Sequence, residues 1–287
     1  MHHAPTQISP LNAVFAETLG QAPGRGRLVG RKVIVVGAGQ RPTPAGESVP
    51  VGNGRAIALL CVREGAAVAC VDMSAPAAQT TVDLITQAGG HAVAEVADVR
   101  DATAIAPLIR RCTSALGGLD GLVLNVGISK GLSLHKLTAE AWDDDFSVNL
   151  RSHMLAAQAA LPLMTPGASI VLISSLAALR NTGGNPAYEA SKAAQVSLAR
   201  SIAVAGEPQA IRCNAVLPGL MDTPMGRDAT RRRPNRALAV PFGRQGTGWE
   251  VAYACLYLLS HESSYVNAHA LVVDGGLGIG VARSPAA

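Results

Sequence analysis

The chain has 287 residues and a formal net charge of +4, which is enough length for one large α/β domain or two small ones. Hydrophobic residues make up 48% of the chain and charged residues only 15%, and this excludes a disordered protein. Aromatic residues make up only 3%, so the core must consist of Ala, Val, Leu and Ile. Such a core suits a parallel sheet that is covered by helices.

Charge and cysteine distribution narrow the partners and the compartment. The basic excess lies around Arg231–Arg233, and no basic stripe with interleaved aromatics is present elsewhere, so no nucleic-acid partner is predicted. The chain has no run of about 18 apolar residues and no N-terminal apolar h-region, so no membrane partner is predicted. The five cysteines form no C-x-x-C pair and the histidines show no metal-ligand spacing. We therefore expect a cytoplasmic protein without a metal site.

Apolar segments that are typical of buried strands alternate with helical segments from residue 31 onward, whereas residues 1–29 lack periodicity and are interpreted as an N-terminal arm or a disordered lead-in. Strands are predicted in "KVIVV", "AAVACVD", "HAVAEVADV", "GLVLNVG", "SIVLISS", "IRCNAVLPG" and "HALVVDGG". Long helices are predicted from about Thr138 to Met164 and over residues 187–205. This order implies right-handed βαβ crossovers. It predicts a single α/β domain over residues 30–282, a doubly wound parallel sheet (Rossmann fold) of about seven strands with helices on both faces.

The stretch "VIVVGAGQRPTPAGESVPVGNGRAIALL", residues 33–60, begins as a strand and ends as a helix. The first such turn of a doubly wound sheet needs glycines so that the chain can turn sharply and a pyrophosphate can approach the helix N-terminus. The glycines that suit this role are Gly37, Gly52 and Gly54. Three prolines lie between the first two of these glycines and prevent the helix from starting early.

Asp72 ends the second predicted strand, in "ACVDMS". A carboxylate at this place accepts hydrogen bonds from the adenosine ribose and repels a 2′-phosphate. Asp72 could instead cap the next helix, although Ser74 is better placed for that role. NAD is therefore the predicted cofactor.

A tyrosine and a lysine share one face of a predicted helix, because Tyr188 and Lys192 are four residues apart. The pKa of a free tyrosine is about 10, and a nearby ammonium lowers it toward the range of a general acid or base. The alternative is an ordinary amphipathic helix with an exposed lysine. Ser175 ends the fifth strand, at the sheet edge where chemistry collects, and Asn149 is polar within an apolar helix. These four residues are the predicted catalytic set.

Taken in order, these motifs resemble those of the short-chain dehydrogenase/reductase family over about residues 31–276. The matching features are Gly37…Gly52-Asn53-Gly54, Asp72, Asp98-Val99, "LNVG" at 124–127, Asn149, Ser175, Tyr188-x-x-x-Lys192, Asn214, "PGLMDT" at 218–223 and "VDGG" at 273–276. The resemblance implies an enzyme that acts on CH–OH groups with NAD or NADP as acceptor. Its partner would be a small-molecule secondary alcohol or ketone, converted by hydride transfer.

The resemblance also implies residue roles. Tyr188 would be the general acid/base, Ser175 would orient the substrate oxygen, and Lys192 would lower the pKa of Tyr188 and hold the nicotinamide ribose. Asn149 would anchor a water that links Lys192 to solvent. The other cofactor contacts would be Asp98 and Val99 at the adenine, Asn125 and Gly127 beside the fourth strand, and Pro218, Gly219 and Thr223 at the nicotinamide.

Two single-residue departures from the family pattern, Leu124 and Ala268, are minor, whereas the glycine turn carries about eleven inserted residues. We hypothesise that the second and third glycines keep their phosphate role while residues 40–50 loop out beside the cofactor. Arg41 or Glu47 would then touch the pyrophosphate side or a neighbouring subunit.

In this family, residues 226–247 correspond to a variable substrate lid. Its arginines, Arg231–Arg233, bind an acidic group or form a solvated basic loop, and both interpretations stay open. A 3-oxoacyl-carrier-protein reductase is the alternative enzyme, which Asp72 opposes because it would use NADPH. A non-catalytic NAD-sensing protein is a third possibility. The resemblance also implies a homo-oligomer, a tetramer or a dimer, formed through the helices near residues 138–164 and 187–205.

Overall fold

The computed structural model describes residues 14–41 and 50–278 of the chain. The strands are β1 (Lys32–Val36), β2 (Ala67–Asp72), β3 (Ala92–Val96), β4 (Gly121–Leu124), β5 (Ser169–Ile173), β6 (Arg212–Pro218), β7 (Met221–Asp222), β8 (Gly246–Thr247) and β9 (Ala270–Val273). The helices are α1 (Asn53–Arg63), α2 (Ala75–Gln87), α3 (Ala102–Leu116), α4 (Ala139–Phe146), α5 (Ser152–Ala160), α6 (Pro186–Gly206), α7 (Pro224–Arg232) and α8 (Gly248–Leu259).

Seven strands form one parallel sheet in the order β3-β2-β1-β4-β5-β6-β9. The chain reverses its winding direction between β1 and β4, and ligands of such sheets bind at this switch point beyond the carboxyl ends of the strands. A separate two-stranded ladder, β7 with β8, was not predicted from the sequence because each strand has only two residues. The predicted doubly wound Rossmann fold is confirmed.

Successive strand residues pack alternately into two cores on opposite faces of the sheet. In β1, Val33 and Val35 belong to the core beneath α1 and α8, whereas Ile34 and Val36 belong to the core beneath α3, α5 and α6. The central strands β4, β5 and β6 are buried throughout, which explains their continuous apolar sequences. Among the described helices, none is long and apolar enough to cross a bilayer.

The helix predicted from Thr138 to Met164 is interrupted by a π turn, Ser147–Arg151, between α4 and α5. Hydroxyl groups at both ends of this turn donate to helix carbonyls, Ser147 Oγ to Asp144 O at 2.8 Å and Ser152 Oγ to Val148 O at 2.6 Å. Such side-chain bonds compete with regular helix bonding. The π turn contains Asn149, and π turns are frequent at functional sites.

Residues 14–29, the part of the predicted arm that the structure describes, lie against α1 and α8. The Glu64 carboxylate is 1% exposed and accepts hydrogen bonds from the backbone N–H of Arg25, the backbone N–H of Arg27 and the Arg27 guanidinium, each at 3.0 Å. The Thr247 hydroxyl donates to the Thr18 carbonyl at 2.9 Å. This segment therefore has fixed contacts with the sheet domain, while the boundary between arm and domain stays a prediction.

Candidate active site

The glycine turn after β1 brings α1 directly onto the strand. Gly37 has φ of +88°, a conformation that glycine adopts without strain. A Cβ on Gly54 would lie 1.8 Å from the Gly37 carbonyl oxygen and 2.5 Å from Asn125 Nδ2. Asn125 Nδ2 donates to that same carbonyl at 2.8 Å. The close approach of helix and strand therefore requires the glycine at position 54.

The two ends of the inserted segment lie next to each other at this turn. The Gly52 N–H donates to Gln40 Oε1 at 2.8 Å, so the two ends of the inserted segment meet. Arg41 forms an ion pair with Asp228 of α7 at 3.7 Å, and both side chains are exposed. Glu47, the other predicted contact residue of the insertion, lies outside the described residues.

The start of α1 has the features of a phosphate site. Gly52 is the N-cap, it supplies no side-chain acceptor, and the first turn contains no acidic residue. Backbone N–H groups at such an end have no intrahelical partner and lie at the positive end of the helix dipole. Asn53 Oδ1 is buried without a hydrogen-bond partner. The turn therefore fits the pyrophosphate of a dinucleotide cofactor.

Asp72 faces this turn from the end of β2. Its Oδ2 accepts a hydrogen bond from Gly39 N and its Oδ1 accepts one from Ser74 N, each at 3.0 Å. Ser74 itself caps α2 through its hydroxyl. A Cβ on Gly39 would lie 2.5 Å from Asp72 Oδ2. Gly39 was not predicted as a site residue, although its position two residues after Gly37 is a signal that could have identified it.

The remaining predicted cofactor residues end or follow β3, β4 and β6, all at the carboxyl edge of the sheet. They are Asp98, which is exposed and accepts from Arg100 N at 2.9 Å, Val99, which is buried, Gly127, Pro218, Gly219 and Thr223, whose hydroxyl caps α7. A Cβ on Gly127 would lie 3.2 Å from Lys192 Nζ. This glycine thus leaves room for a ligand beside the lysine.

Tyr188 and Lys192 lie together on α6, and Ser175 reaches them from the end of β5. The Lys192 ammonium is 5.6 Å from the centre of the Tyr188 ring. Burial raises the pKa of Tyr188, a hydrogen bond with the Ser175 side chain opposes this shift, and the charge of Asp145 adds to it. The phenol is therefore poorly ionised unless a cation beside it favours the phenolate.

Lys192 is 3% exposed, and its ammonium donates to the Ile173 carbonyl at 2.9 Å and to Gln195 Oε1 at 3.3 Å. Burial lowers the pKa of Lys192 to about 7. The lysine therefore changes charge in the working pH range of most enzymes, and its charge state influences the neighbouring Tyr188.

Asn149 is fully buried in the π turn and joins two elements of the site. Its Oδ1 accepts from Ile128 N at 2.8 Å, and its Nδ2 donates to Ile128 O and to Ser191 Oγ, each at 3.0 Å. These bonds tie the segment after β4 to α6. They position the backbone that follows Gly127 relative to the helix that carries the lysine.

Four buried polar residues beside the site were not predicted from the sequence, namely Asp145, His153, Glu189 and Gln195. The Glu189 carboxylate accepts from Thr182 N at 3.1 Å, from Thr182 Oγ1 at 3.0 Å and from Gly183 N at 3.2 Å, and so holds the loop that follows Ser175. Burial raises the pKa of Asp145, whose two carboxylate oxygens lack well-formed hydrogen bonds. Polar side chains on the inward faces of apolar helices, the signal used for Asn149, could have identified them.

The predicted lid region contains α7, a 3₁₀ segment and β8. Arginines of this region form ion pairs with nearby acids, among them Arg227 with Asp222 of β7 at 2.9 Å and Arg231 with Asp228 at 2.6 Å. Such pairing favours the solvated interpretation of this basic segment over a dedicated acid-binding site. Across residues 14–41 and 50–278, no three His, Cys, Asp or Glu side chains are grouped as metal ligands.

Known proteins are similar to this chain over most of its length. A family model described as "Enoyl-(Acyl carrier protein) reductase" matches residues 50–278. The chain is 36% identical over 235 residues to 2-(S)-hydroxypropyl-CoM dehydrogenase 3 of Xanthobacter autotrophicus, covering 79% of this chain and 92% of that protein. It is 32% identical over 254 residues to a 3-oxoacyl-[acyl-carrier-protein] reductase of Thermotoga maritima, covering 88% and 99%.

Solved structures agree with these sequence matches. A short-chain dehydrogenase/reductase from Serratia marcescens superposes with a TM-score of 0.81 at 33% identity, covering 88% of this chain and 99% of that one. A putative short-chain alcohol dehydrogenase from Sinorhizobium meliloti also gives 0.81, at 30% identity. The chain therefore belongs to the short-chain dehydrogenase/reductase family, whose members are oxidoreductases that use NAD or NADP.

Proposed function

We propose that this protein is an NAD(H)-dependent enzyme that interconverts a secondary alcohol and a ketone, with Tyr188 as the general acid/base. The observation that carries the proposal is the convergence of Tyr188, Lys192 and Ser175 at the carboxyl edge of the sheet. The same edge carries the glycine turn that fits a dinucleotide. Similar proteins support the substrate class, since two are named as dehydrogenases of hydroxypropyl-CoM and one of 3-hydroxyacyl-CoA.

The nicotinamide ring of the cofactor supplies the hydride chemistry when it is bound. In the oxidising direction, the phenolate form of Tyr188 accepts the proton of the substrate hydroxyl. Ser175 donates a hydrogen bond to the same substrate oxygen. The Lys192 ammonium favours the phenolate through its positive charge. Asn149 fixes the segment after β4 relative to α6 through its hydrogen bonds to Ile128 and Ser191. In the reducing direction, Tyr188 returns the proton to the carbonyl oxygen.

Replacement of the phenol tests this role directly. Tyr188→Phe removes the acid/base group but keeps the ring, so we expect kcat/KM for a panel of secondary alcohols to fall by about 10² to 10⁴. Affinity for NAD should stay within about threefold, because the phenol contributes mainly to the chemical step. The measurement is NADH absorbance under initial-rate conditions, with cofactor affinity from fluorescence titration.

Tyr265→Phe is the matched control, because Tyr265 is fully exposed and its loss should leave kcat/KM unchanged. Turnover by Tyr188→Phe within about tenfold of the unaltered protein would sink the acid/base assignment.

A 3-oxoacyl-carrier-protein reductase is the second candidate, favoured by the match to the Thermotoga maritima enzyme over 88% of the chain. Asp72 separates the two candidates because its carboxylate repels the 2′-phosphate of NADP. We expect NAD to bind at least about tenfold more tightly than NADP. In Asp72→Ser, the ratio of the NAD affinity to the NADP affinity should be smaller. Asp83→Ser, at an exposed position of α2, is the control. Tighter binding of NADPH together with turnover of a 3-oxoacyl thioester would favour the reductase.

We also propose a homo-oligomer, a tetramer or a dimer. The helices α4 and α5 present exposed apolar side chains, among them Trp142 and Met154, and Trp142 stacks on Phe146 with 4.5 Å between ring centres. Light scattering of the purified protein tests this, and a monomer at micromolar concentration would contradict it.

A further inference from the structure

A buried amide contacts the site lysine from one turn further along α6. Gln195 is 0% exposed, and its Oε1 accepts a hydrogen bond from Lys192 Nζ at 3.3 Å. Its Nε2 donates to the backbone carbonyl of Asn149 and to His153 Nδ1, the latter at 2.9 Å. Gln195 thus uses both of its amide hydrogens and its oxygen within the interior of the protein.

His153 on α5 determines which way the amide points. The Val126 carbonyl can only accept a hydrogen bond, so His153 Nε2, which lies 3.2 Å from it, carries the ring proton, and Nδ1 is left to accept from Gln195 Nε2. Burial, together with the charge of Lys192, lowers the pKa of His153 to about 3. The ring therefore stays neutral at working pH, and it does not exchange its proton when Lys192 titrates.

The opposite amide orientation is unfavourable on both sides. It would place the NH₂ group against the Lys192 ammonium, which has no acceptor, and the amide oxygen against the Asn149 carbonyl, which has no donor. Unmade buried hydrogen bonds of this kind are costly. The network therefore keeps an acceptor permanently aimed at the ammonium.

We propose that Gln195 is a positioning residue that holds the Lys192 ammonium beside Tyr188 and links it to the Asn149 backbone carbonyl. Within the described part of the chain, the Lys192 ammonium donates hydrogen bonds to two acceptors, the Ile173 carbonyl and Gln195 Oε1, so the amide supplies a large part of its polar surroundings. This inference rests on the proposed function, in which the ammonium favours the Tyr188 phenolate.

Neutral hydrogen-bond acceptors such as Gln195 stabilise the charged form of Lys192, because none of the acidic side chains that the structure describes is paired with it. The titratable residues that face this part of α6 are Tyr188 on the same helix, His153 on α5 and Asp145 on α4, and Asp145 acts on the tyrosine. The end of β5 presents the Ile173 carbonyl, and Ser174, which follows the strand, donates its hydroxyl to the backbone carbonyl of Lys192 at 2.8 Å. Among the described residues, no carboxylate forms an ion pair with the ammonium.

The test measures the pKa of Lys192 in the protein without cofactor. The chain has four lysines, so selective ¹³Cε labelling gives four NMR signals, and the signal that is missing from Lys192→Arg identifies Lys192. Gln195→Met keeps the shape but removes the acceptor, so the pKa of Lys192 should fall by roughly one unit or more. Gln195→Glu adds a negative charge next to the ammonium, so the pKa should rise.

Activity gives a second readout. When Lys192 loses its charge at a lower pH, Tyr188 needs a higher pH to ionise, so the acid limb of kcat/KM for alcohol oxidation should move to higher pH in Gln195→Met. Gln158→Met, at an exposed glutamine on α5, is the control and should match the unaltered protein in both measurements.

An unchanged Lys192 pKa in Gln195→Met would overturn the inference. If that variant does not fold, Gln195→Glu decides by the same signal, and an unchanged or lowered Lys192 pKa in it counts against the inference. Loss of the proposed function is separately detectable, since it would appear as sustained turnover in Tyr188→Phe. An inactive Tyr188→Phe combined with an unshifted Lys192 would reject only the role of Gln195.

Discussion

Two glycines of the cofactor turn have different surroundings, although a sequence pattern treats them alike. An added Cβ on Gly54 would overlap the backbone of Gly37 at 1.8 Å, whereas on Gly52 the nearest atoms, from Gln40 and Pro224, lie at 3.7 Å. Position 54 is therefore constrained by the fold itself. Position 52 has room for a Cβ in the protein, and any constraint on it must come from the bound cofactor.

These surroundings predict different effects of the same substitution. Gly54→Ala should lower the free energy of unfolding by about 1 to 3 kcal/mol or more, because backbone must move to admit the methyl group. Gly52→Ala should leave thermal stability nearly unchanged but weaken NAD binding by about tenfold or more, because the methyl group stands where a pyrophosphate approaches. Calorimetry and cofactor titration of both variants check this. Equal destabilisation by the two would contradict the steric argument.

At the scale of elements, the turn between β1 and α1 accepts a long insertion because its two ends are joined. The Gln40 side chain accepts the Gly52 N–H at 2.8 Å, next to the N-terminus of the helix. Loop-closure entropy grows only slowly with loop length. A hydrogen bond that joins the ends of the insertion therefore allows α1 to start where a short turn would place it.

Removal of this closing bond should weaken cofactor binding as well as the fold. Gln40→Leu leaves the Gly52 N–H without its acceptor, so we expect a loss of about 1 kcal/mol in stability. The less ordered turn should also bind NAD about three- to tenfold more weakly. Arg41→Ala is the neighbouring control, because its ion pair with Asp228 is exposed and contributes little. A Gln40→Leu protein with unaltered NAD affinity would show that the bond serves stability alone.

At the scale of the whole molecule, one buried carboxylate forms three of the hydrogen bonds that join the described part of the N-terminal segment to the sheet domain. Glu64 follows α1 and accepts three hydrogen bonds from Arg25 and Arg27. Although burial by itself raises the pKa of Glu64, the hydrogen bonds and the charge of Arg27 outweigh it and lower the pKa below 4.5. The ionised form is therefore stabilised in the folded protein.

This shift makes the contact dependent on pH. A lowered pKa in the folded state stabilises the protein above the unfolded-state value of about 4.5, and the stabilisation is lost as pH falls through the folded-state value. Glu64→Gln should cost about 1 to 3 kcal/mol at pH 7, a fall of several degrees in Tm, and little at a pH below the folded-state pKa. Glu17→Gln, in an exposed pair with Arg25, is the control. A difference in Tm that persists at low pH would contradict the ionic origin.

Much of the candidate site was predictable because its signals are local. Tyr188 and Lys192 lie one helical turn apart, Ser175 and Asp72 end apolar strands, and parallel strands place such ends at one edge of the sheet. The structure brings these predicted residues to that edge, and their roles stay predictions. The two-residue strands β7 and β8 and the π turn around Asn149 were not predicted, because neither has a periodicity long enough to detect.

The sequence by itself determined the order of strands and helices, the doubly wound sheet and the family, because hydrophobic period and motif spacing are properties of contiguous residues. Only the tertiary structure decided that Gln195 contacts His153 and the Asn149 carbonyl, that Gln40 joins the insertion to Gly52, and that Glu64 holds the N-terminal segment. These contacts join residues up to 46 positions apart. They depend on how helices cross and how loops close, which no local pattern specifies.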